Sequence, residues 1–266
     1  MFERFRQRSH ELEHLDKGDY TAEEYEGCMV ELRRVNEYLG DARALRRSLI
    51  PEIERAGLRR FSVLDVGAGS GELLRVLAGW ANRRGRGARL VGLELNARAA
   101  TAILKESEGY GSISAVRGDA LRLPFDDGCF DYAICSLFTH HFEDDGIVSV
   151  LRELGRVARR RVIIIDLHRH ALAYLLYRTL CRLFLRNRLV REDGALSILR
   201  SFRPEELRLL AARAGLSNIR VRRCFPFRLV LSADAYEESA DGGQVVALSS
   251  RRVGERKSVR ESFARR

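Results

Sequence analysis

Three glycines alternate at positions 67, 69 and 71 in Val63-Leu64-Asp65-Val66-Gly67-Ala68-Gly69-Ser70-Gly71-Glu72, where an apolar run gives way to a turn. Glycine is needed where the main chain turns with positive φ and where a ligand comes against the backbone. The turn alone is ambiguous, because dinucleotide-binding chains use one as well. Its neighbours separate the two. The dinucleotide fingerprint wants a third glycine at position 72, where this chain has Glu72. A carboxylate in the first helical turn would repel a pyrophosphate held at that helix N-terminus, and so would Asp65 just ahead of it. Both acids suit a cationic ligand with a sulfonium and an ammonium group and no phosphate. Two more acids fit the same ligand. Glu94 closes the next apolar run, 23 residues after Gly71, and can accept both hydrogens of a ribose diol as charge-assisted bonds. Asp119, in Arg117-Gly118-Asp119-Ala120, can accept from an adenine amine. S-adenosylmethionine carries all of these groups. Each residue also has a plainer reading: a bare glycine turn, a solvated strand end at Glu94, a turn residue at Asp119 ahead of Pro124.

The elements that must hold these residues are legible as periodicity. Apolar runs at 61–66, 88–95, 112–116, 130–136 and 161–167 read as buried strands, with helical stretches at 71–82, 97–106 and 143–159 between them. In the last, Ile147, Val150, Leu151, Leu154 and Val157 form one stripe. Strands alternating with helices give right-handed crossovers and a parallel sheet, a doubly wound α/β core. The acids then lie at carboxyl ends of neighbouring strands, where such sheets bind ligands. Before the core, Met29, Leu32, Val35, Leu39, Ala42, Leu45 and Leu49 mark a pair of amphipathic helices over 23–56, with a break near Gly40 and another at Pro51. Residues 1–20 read as frayed. After the core, Pro204 and Gly215 bound a helix, and 219–224 with 228–232 read as an antiparallel edge pair around Phe225-Pro226-Phe227.

The stretches VLDVGAGSGE, GLEL and GDALRLPFDDGCFDYAICS resemble the class I S-adenosylmethionine-dependent methyltransferases. The GDA-x-x-LPF-x-D-x-x-FD run is similar to the branch that modifies quinones, polyketides and other small lipophilic acceptors. The resemblance covers about residues 60–232. It implies a Rossmann-like seven-stranded sheet whose last strand is antiparallel, in agreement with the edge hairpin. It also implies S-adenosylmethionine as cofactor and S-adenosylhomocysteine as product. Residue by residue, Asp65, Gly67, Ala68 and Gly69 would hold the methionine moiety and Gly71 would open the helix. Glu94 and Leu95 would take the ribose, Asp119 and Ala120 the adenine, and Ser136 and Leu137 would line the sulfonium side. The expected layout is an N-terminal helical cap over 1–57 and the methyltransferase domain over 58–233. Within that domain, 171–200 is a helical insertion after the fifth strand that covers the acceptor, and 234–266 is a flexible charged tail.

A phenol or enol acceptor needs a base near neutral pH, and histidine is the default choice. His140 and His141 follow the fourth strand, where a side chain would face the transferable methyl, and are the catalytic candidates. The competing reading is that they cap the next helix or brace the pocket. His168, Tyr174 and Arg200 are second candidates for contact with the acceptor. Four histidines and Asp166 show no recognisable ligand spacing, so no metal is expected. Leu172, Tyr174, Leu175, Leu176, Leu180, Leu183 and Phe184, with arginines at 178, 182, 186 and 188, read either as a greasy lid or as ordinary amphipathic packing with snorkelling arginines. Peripheral contact with an anionic membrane is a third reading of the same pattern.

Composition limits the alternatives. The chain has 266 residues, 45% of them apolar, enough for a real core without staples, and a net charge of +10. The excess is local: Arg156 to Arg191 holds ten arginines against Asp166 alone, and Arg251 to Arg266 holds seven basic residues against two acids. Five cysteines without a C-x-x-C argue against a zinc site or a disulfide framework. The charged N-terminus is not a signal peptide, and no run spans a bilayer, so a cytoplasmic protein is expected. An RNA or protein methyltransferase is the first rival, prompted by the charge. It lacks the Asn/Asp-Pro-Pro-aromatic run after the fourth strand, where this chain reads Cys135-Ser136-Leu137-Phe138. A non-catalytic donor-binding partner subunit is the second rival. The sequence leaves the choice between monomer and homodimer open.

Overall fold

All five apolar runs become strands of one sheet. The computed structural model describes residues 2–236. In chain order the elements are α1 (His14–Lys17), α2 (Ala22–Leu39), α3 (Asp41–Arg55), β1 (Arg60–Val66), α4 (Glu72–Arg83), β2 (Gly87–Glu94), α5 (Ala97–Glu106) and β3 (Ile113–Arg117). They continue as β4 (Phe130–Ser136), α6 (Asp144–Val157), β5 (Ala158–Leu167), α7 (Ala171–Phe184), α8 (Arg188–Arg200), α9 (Pro204–Arg213), β6 (Ser217–Cys224) and β7 (Arg228–Asp234). A 3-10 turn over Thr139–His141 bridges β4 and α6.

The strand order is β3-β2-β1-β4-β5-β7-β6, seven strands in all. β1 to β5 pair in parallel, while β7 runs antiparallel to both β5 and β6. This is the α/β, Rossmann-like sheet with an antiparallel last strand that the sequence predicts. Order reverses between β1 and β4, which opens a crevice at their carboxyl ends. Helices cover both faces, and β1 is therefore buried from Phe61 through Val66. The predicted stripe of α6 is real: Ile147, Val150, Leu151, Leu154 and Val157 are all fully buried. Truncating any one of them to Ala should cost roughly 2–5 kcal/mol, less for Val.

Two expectations change. Pro51 lies inside α3 and does not end it. The predicted tail, from residue 237 on, lies outside the described residues. The more consequential change concerns residues 2–20, which are not frayed but strapped across the carboxyl end of the sheet. The buried Arg169 donates through Nε to the Phe5 carbonyl (3.1 Å) and also pairs with Glu206. Arg8 reaches the Arg200 carbonyl (2.8 Å) and the Phe142 carbonyl (2.9 Å), with its guanidinium 4.6 Å from the centre of the Phe202 ring. The short helix α1 is seated by the buried Asp193, whose two oxygens accept from His14 N–H (2.8 Å) and Leu15 N–H (3.1 Å). That carboxylate satisfies amides which a one-turn helix leaves open. The helical cap is tied to the sheet by a buried ion pair, Arg228 Nε to Asp41 Oδ1 at 2.5 Å.

Candidate active site

The glycine turn leaves β1 with Gly67, Gly69 and Gly71 all at positive φ, +70°, +57° and +79°. At Gly67 the reason is contact as well as conformation. A Cβ there would lie 2.6 Å from the ring of Phe138, the residue after Leu137 at the end of β4. At Gly69 a Cβ would meet nothing within 4 Å, so the main chain is open to a ligand. Asp65 sits beneath this turn, 2% exposed, and its Oδ1 has no hydrogen-bond partner among the described residues. Burial, helped by the nearby Glu94 carboxylate, pushes the Asp65 carboxyl well above the usual range. An orphaned buried carboxyl at a ligand cleft fits a cationic group, whose arrival would supply the missing donor and favour ionisation. Glu94 Oε1 accepts from Gly69 N–H at 2.6 Å. Burial raises its pKa too, offset in part by the amides of Gly69 and Leu95. Asp119 is exposed and uses Oδ1 to accept from Leu121 N–H (2.9 Å), so the turn role and an outward carboxylate coexist. Ala120 is buried, Leu95 is 66% exposed, and Ser136 ends β4 half-buried. These residues fit an S-adenosylmethionine-like ligand: an unpaired acid, an open glycine edge and a strand-end glutamate face one cleft.

Beside this cleft, on the far side of Leu137, lies a cavity of about 740 Å³. Leu137 itself has φ +50°, a left-handed conformation uncommon for a side chain with a Cβ. Its N–H donates to the Ile165 carbonyl at 2.9 Å, and the bend turns the next residues into the cavity. His140 and His141 stand at one end of it. His140 is buried, and its Nδ1 lies 2.6 Å from Oδ1 of the fully buried Asp166 at the end of β5. A carboxylate only accepts, so Nδ1 carries the hydrogen and the Nε2 lone pair is left for the cavity. Asp166 Oδ2 accepts from the Thr139 hydroxyl at 2.5 Å and Oδ1 from Leu167 N–H at 2.7 Å. Burial alone would raise the Asp166 pKa. The facing His140 and these hydrogen bonds outweigh it and bring it below its ordinary value.

The remaining candidates fall out differently. His141 Nδ1 faces two acids of the N-terminal strap, Asp16 at 3.5 Å and Glu13 at 3.9 Å. His168 lines the cavity, and its pKa is lowered to about 4 by burial and then by Arg223, His170 and Arg169, against a smaller opposing effect of Glu205. Tyr174 is not in this cavity. It packs edge-on to Phe5, with ring centres 5.6 Å apart, and lines a separate basic hollow; Tyr177, one turn along, is the tyrosine that lines the acceptor-side cavity. The helical register of α7 decides between them. Arg200 does not reach into the cavity either. It is buried and donates to the carbonyls of His140 (Nε, 3.2 Å) and His141 (2.6 Å), so that it holds the histidine turn from behind. The carbonyls of a 3-10 turn end are unsatisfied by the turn itself, and a guanidinium has the donors for them.

The sequence reading missed Glu13, 2% exposed, which lines the cavity and accepts from the Ser197 hydroxyl at 2.7 Å. The ligating atoms of Glu13, His140 and His141 all lie within 4.8 Å of one another, a spacing an ion could bridge. The expectation of no metal is drawn from the four histidines, His140 and His141 among them, and Asp166, which is committed to His140; it does not take in Glu13. α7 and α8 supply much of the cavity wall, including Leu176, Leu180, Phe184 and Leu189. Leu180 and Phe184 are also 49% and 76% exposed, and so mark its mouth. No helix among the described residues is long and apolar enough to cross a membrane.

Residues 63–161 match the family model described as a methyltransferase domain. A demethylmenaquinone methyltransferase of Bacillus licheniformis is 30% identical over 98 residues, covering 37% of this chain and 40% of that protein. Another, from Roseiflexus castenholzii, is 40% identical over 96 residues, covering 36% and 37%. The chain thus spans about two fifths of the length of these curated relatives. Among solved structures, a SAM-dependent methyltransferase from Aquifex aeolicus superposes with a TM-score of 0.56 at 17% identity, over 78% of this chain and 98% of that one. Magnesium protoporphyrin IX methyltransferase from Synechocystis PCC 6803 with bound SAH gives 0.53 at 17%, over 74% and 84%.

Proposed function

We propose that this chain, which carries a methyltransferase domain at 63–161 on a Rossmann-like fold, is a class I S-adenosylmethionine-dependent methyltransferase that methylates a small lipophilic acceptor of the phenolic, quinone-like or polyketide kind, in the cytoplasm and in secondary metabolism. The single observation that carries the reading is the junction at Leu137. An open glycine turn over an orphaned buried acid lies on one side, and a large apolar cavity ending in an oriented histidine lies on the other. The curated relatives, named for a demethylated quinone, point to the same acceptor class.

The cofactor supplies an activated methyl on a cationic sulfur. Asp65 would pair with the ammonium, Glu94 would accept from the ribose, and Asp119 with Ala120 would border the adenine; Ser136 and Leu137 would border the sulfonium. The protein's task is then alignment and exclusion of water. For an O-methylation, the acceptor hydroxyl sits against His140, whose Nε2 takes its proton. S-adenosylmethionine held in the donor site would supply the methyl group to that oxygen and would leave as S-adenosylhomocysteine, while His140 Nε2 holds the proton. Asp166 keeps His140 in the receptive tautomer and stabilises the imidazolium that results. His141 stands beside it against Asp16 and Glu13. The exposed Leu172 and Leu175 beside Arg178 on the outer side of α7 suit contact with an anionic lipid surface, from which a greasy acceptor is drawn. Donor-dependent turnover of an alkylated phenol, followed by mass spectrometry, tests the assignment. Donor binding with no turnover across a broad panel of phenols, quinols and enols would reject it in favour of a non-catalytic subunit.

A further inference from the structure

We propose that the acceptor carries hydroxyl groups on two neighbouring ring carbons, and that Glu13 is the residue that selects for the second one. The inference rests on the methyl-transfer reading above and specifies its substrate. Glu13 arrives from the N-terminal strap, far in sequence from His140, His141 and Ser197. Its carboxyl group is 2% exposed. Oε1 is met by the Ser197 hydroxyl at 2.7 Å, while Oε2 is 3.9 Å from His141 Nδ1, beyond hydrogen-bond reach. Otherwise the cavity offers it mostly hydrocarbon, from Leu15, Leu137 and Leu189 among others. Glu13 lines the cavity, so its Oε2 is left for a ligand hydroxyl to donate to.

Spacing sets the substitution pattern. The ligating atoms of Glu13, His140 and His141 lie within 4.8 Å of one another. Two hydroxyls on adjacent ring carbons leave the ring on the same side, so one can give its proton to His140 while the other donates to Glu13 and keeps its own. Hydroxyls placed para point in opposite directions and cannot serve both. A single hydroxyl satisfies His140 and leaves Glu13 bare, and a site built for a hydroxyl rejects an analogue that lacks it. The alternative occupant is a metal ion, but His141 is poorly placed as its ligand. Its Nδ1 lies 3.5 Å from the Asp16 carboxylate, and a ring N–H there leaves only Nε2 to ligate an ion.

The test compares 4-hexylcatechol, 4-hexylphenol and 2-hexylhydroquinone as acceptors for the full-length protein with S-adenosylmethionine under reducing conditions. The catechol should be preferred in kcat/KM by at least about 100-fold over the phenol, and over the para isomer as well. In Glu13→Ala that ratio should fall below about tenfold, and in Glu13→Gln it should fall part of the way, with the Kd for S-adenosylmethionine unchanged in both. Equal use of the three acceptors, or a preference that survives Glu13→Ala, overturns the proposal. So does activity that a chelator abolishes and Mg²⁺ or Zn²⁺ restores, since an ion would then hold the second oxygen. Calorimetric binding of the same three compounds to the S-adenosylhomocysteine complex reads the preference without turnover. Selective catechol binding with no methylation leaves this site standing and defeats the methyl-transfer reading. Unselective binding defeats the site itself.

Discussion

The two halves of the cleft are built in different ways. The donor half comes from one stretch, 65–137, and works largely through main chain: glycines at positive φ and acids at the ends of adjacent strands. It lies inside the 63–161 match. The acceptor half is assembled from the N-terminal strap, the histidine turn, α7, α8 and the turn before β7, and it works through side chains. Of its polar groups only His140 and His141 lie inside the matched stretch; Glu13, Asp166, His168 and Ser197 do not. On the proposed reading the methyl donor is held by the stretch inside the match, while most polar groups on the acceptor side come from outside it.

If the halves are separable, changes in one should not register in the other. The largest effect is expected for Asp166→Asn. An asparagine can present its carbonyl or its amide to His140 Nδ1, and the amide orientation would put the proton on Nε2 and disable it as a base. Turnover of a phenolic acceptor should fall by roughly 10²–10⁴-fold, with the Kd for S-adenosylmethionine unaltered in calorimetry. An equal loss of donor affinity would break the division. Next is Asp65→Asn, which removes the buried acid whose Oδ1 is unpartnered. Donor affinity should drop about 100-fold, since a charge-assisted bond in a dry cleft is lost, while the ligand-free protein should melt at a higher temperature because a group costly to bury as an ion is gone. Unchanged affinity would remove the ammonium assignment. Glu94→Gln keeps an acceptor at the ribose and should cost only about tenfold in donor affinity, with the apparent KM for the acceptor unmoved.

What could be read from the sequence follows the same division. Strand runs, crossover helices and the antiparallel edge are periodic signals within a few residues of one another, so the strands, their parallel pairing and the antiparallel edge were legible, whereas the strand order was not read from them. The glycine turn and its acids were legible because their meaning is local. Asp166 was visible as a strand-end acid, but its role depends on β5 lying beside β4, which brings it under His140. That adjacency is a property of topology, although the alternation of strands and helices contained enough to find it. Glu13 and Arg8 gave no such signal. They sit in a charged, aperiodic segment whose order comes from guanidinium-to-carbonyl bonds with residues more than a hundred positions away. Arg200 read as a pocket residue because a lone arginine near a binding segment has two uses, and only the fold shows that it serves the carbonyls behind the histidines.

The smallest effect separates the halves by pH. In the acceptor half, burial and neighbouring cations lower His168 from its ordinary 6.5 to about 4. Between those values the unfolded chain holds a proton there that the folded chain does not, so this half loses stability as pH falls from about 6.5 toward 4. In the donor half Asp65 is raised, and the folded protein takes up its proton before the unfolded chain does, so acid favours that half rather than costing it stability. Hydrogen exchange at pH 5 and pH 7.5, corrected for the intrinsic rate, should therefore show α7, α8 and the end of β5 opening more readily at the lower pH, while the glycine turn and α4 do not. His168→Asn keeps a polar side chain of similar reach without the titration, and should remove roughly 1–3 kcal/mol of the acid-dependent loss. If α7 and α4 respond to pH alike, and the substitution changes neither, the two halves share one stability and the division drawn from their construction does not extend to their energetics.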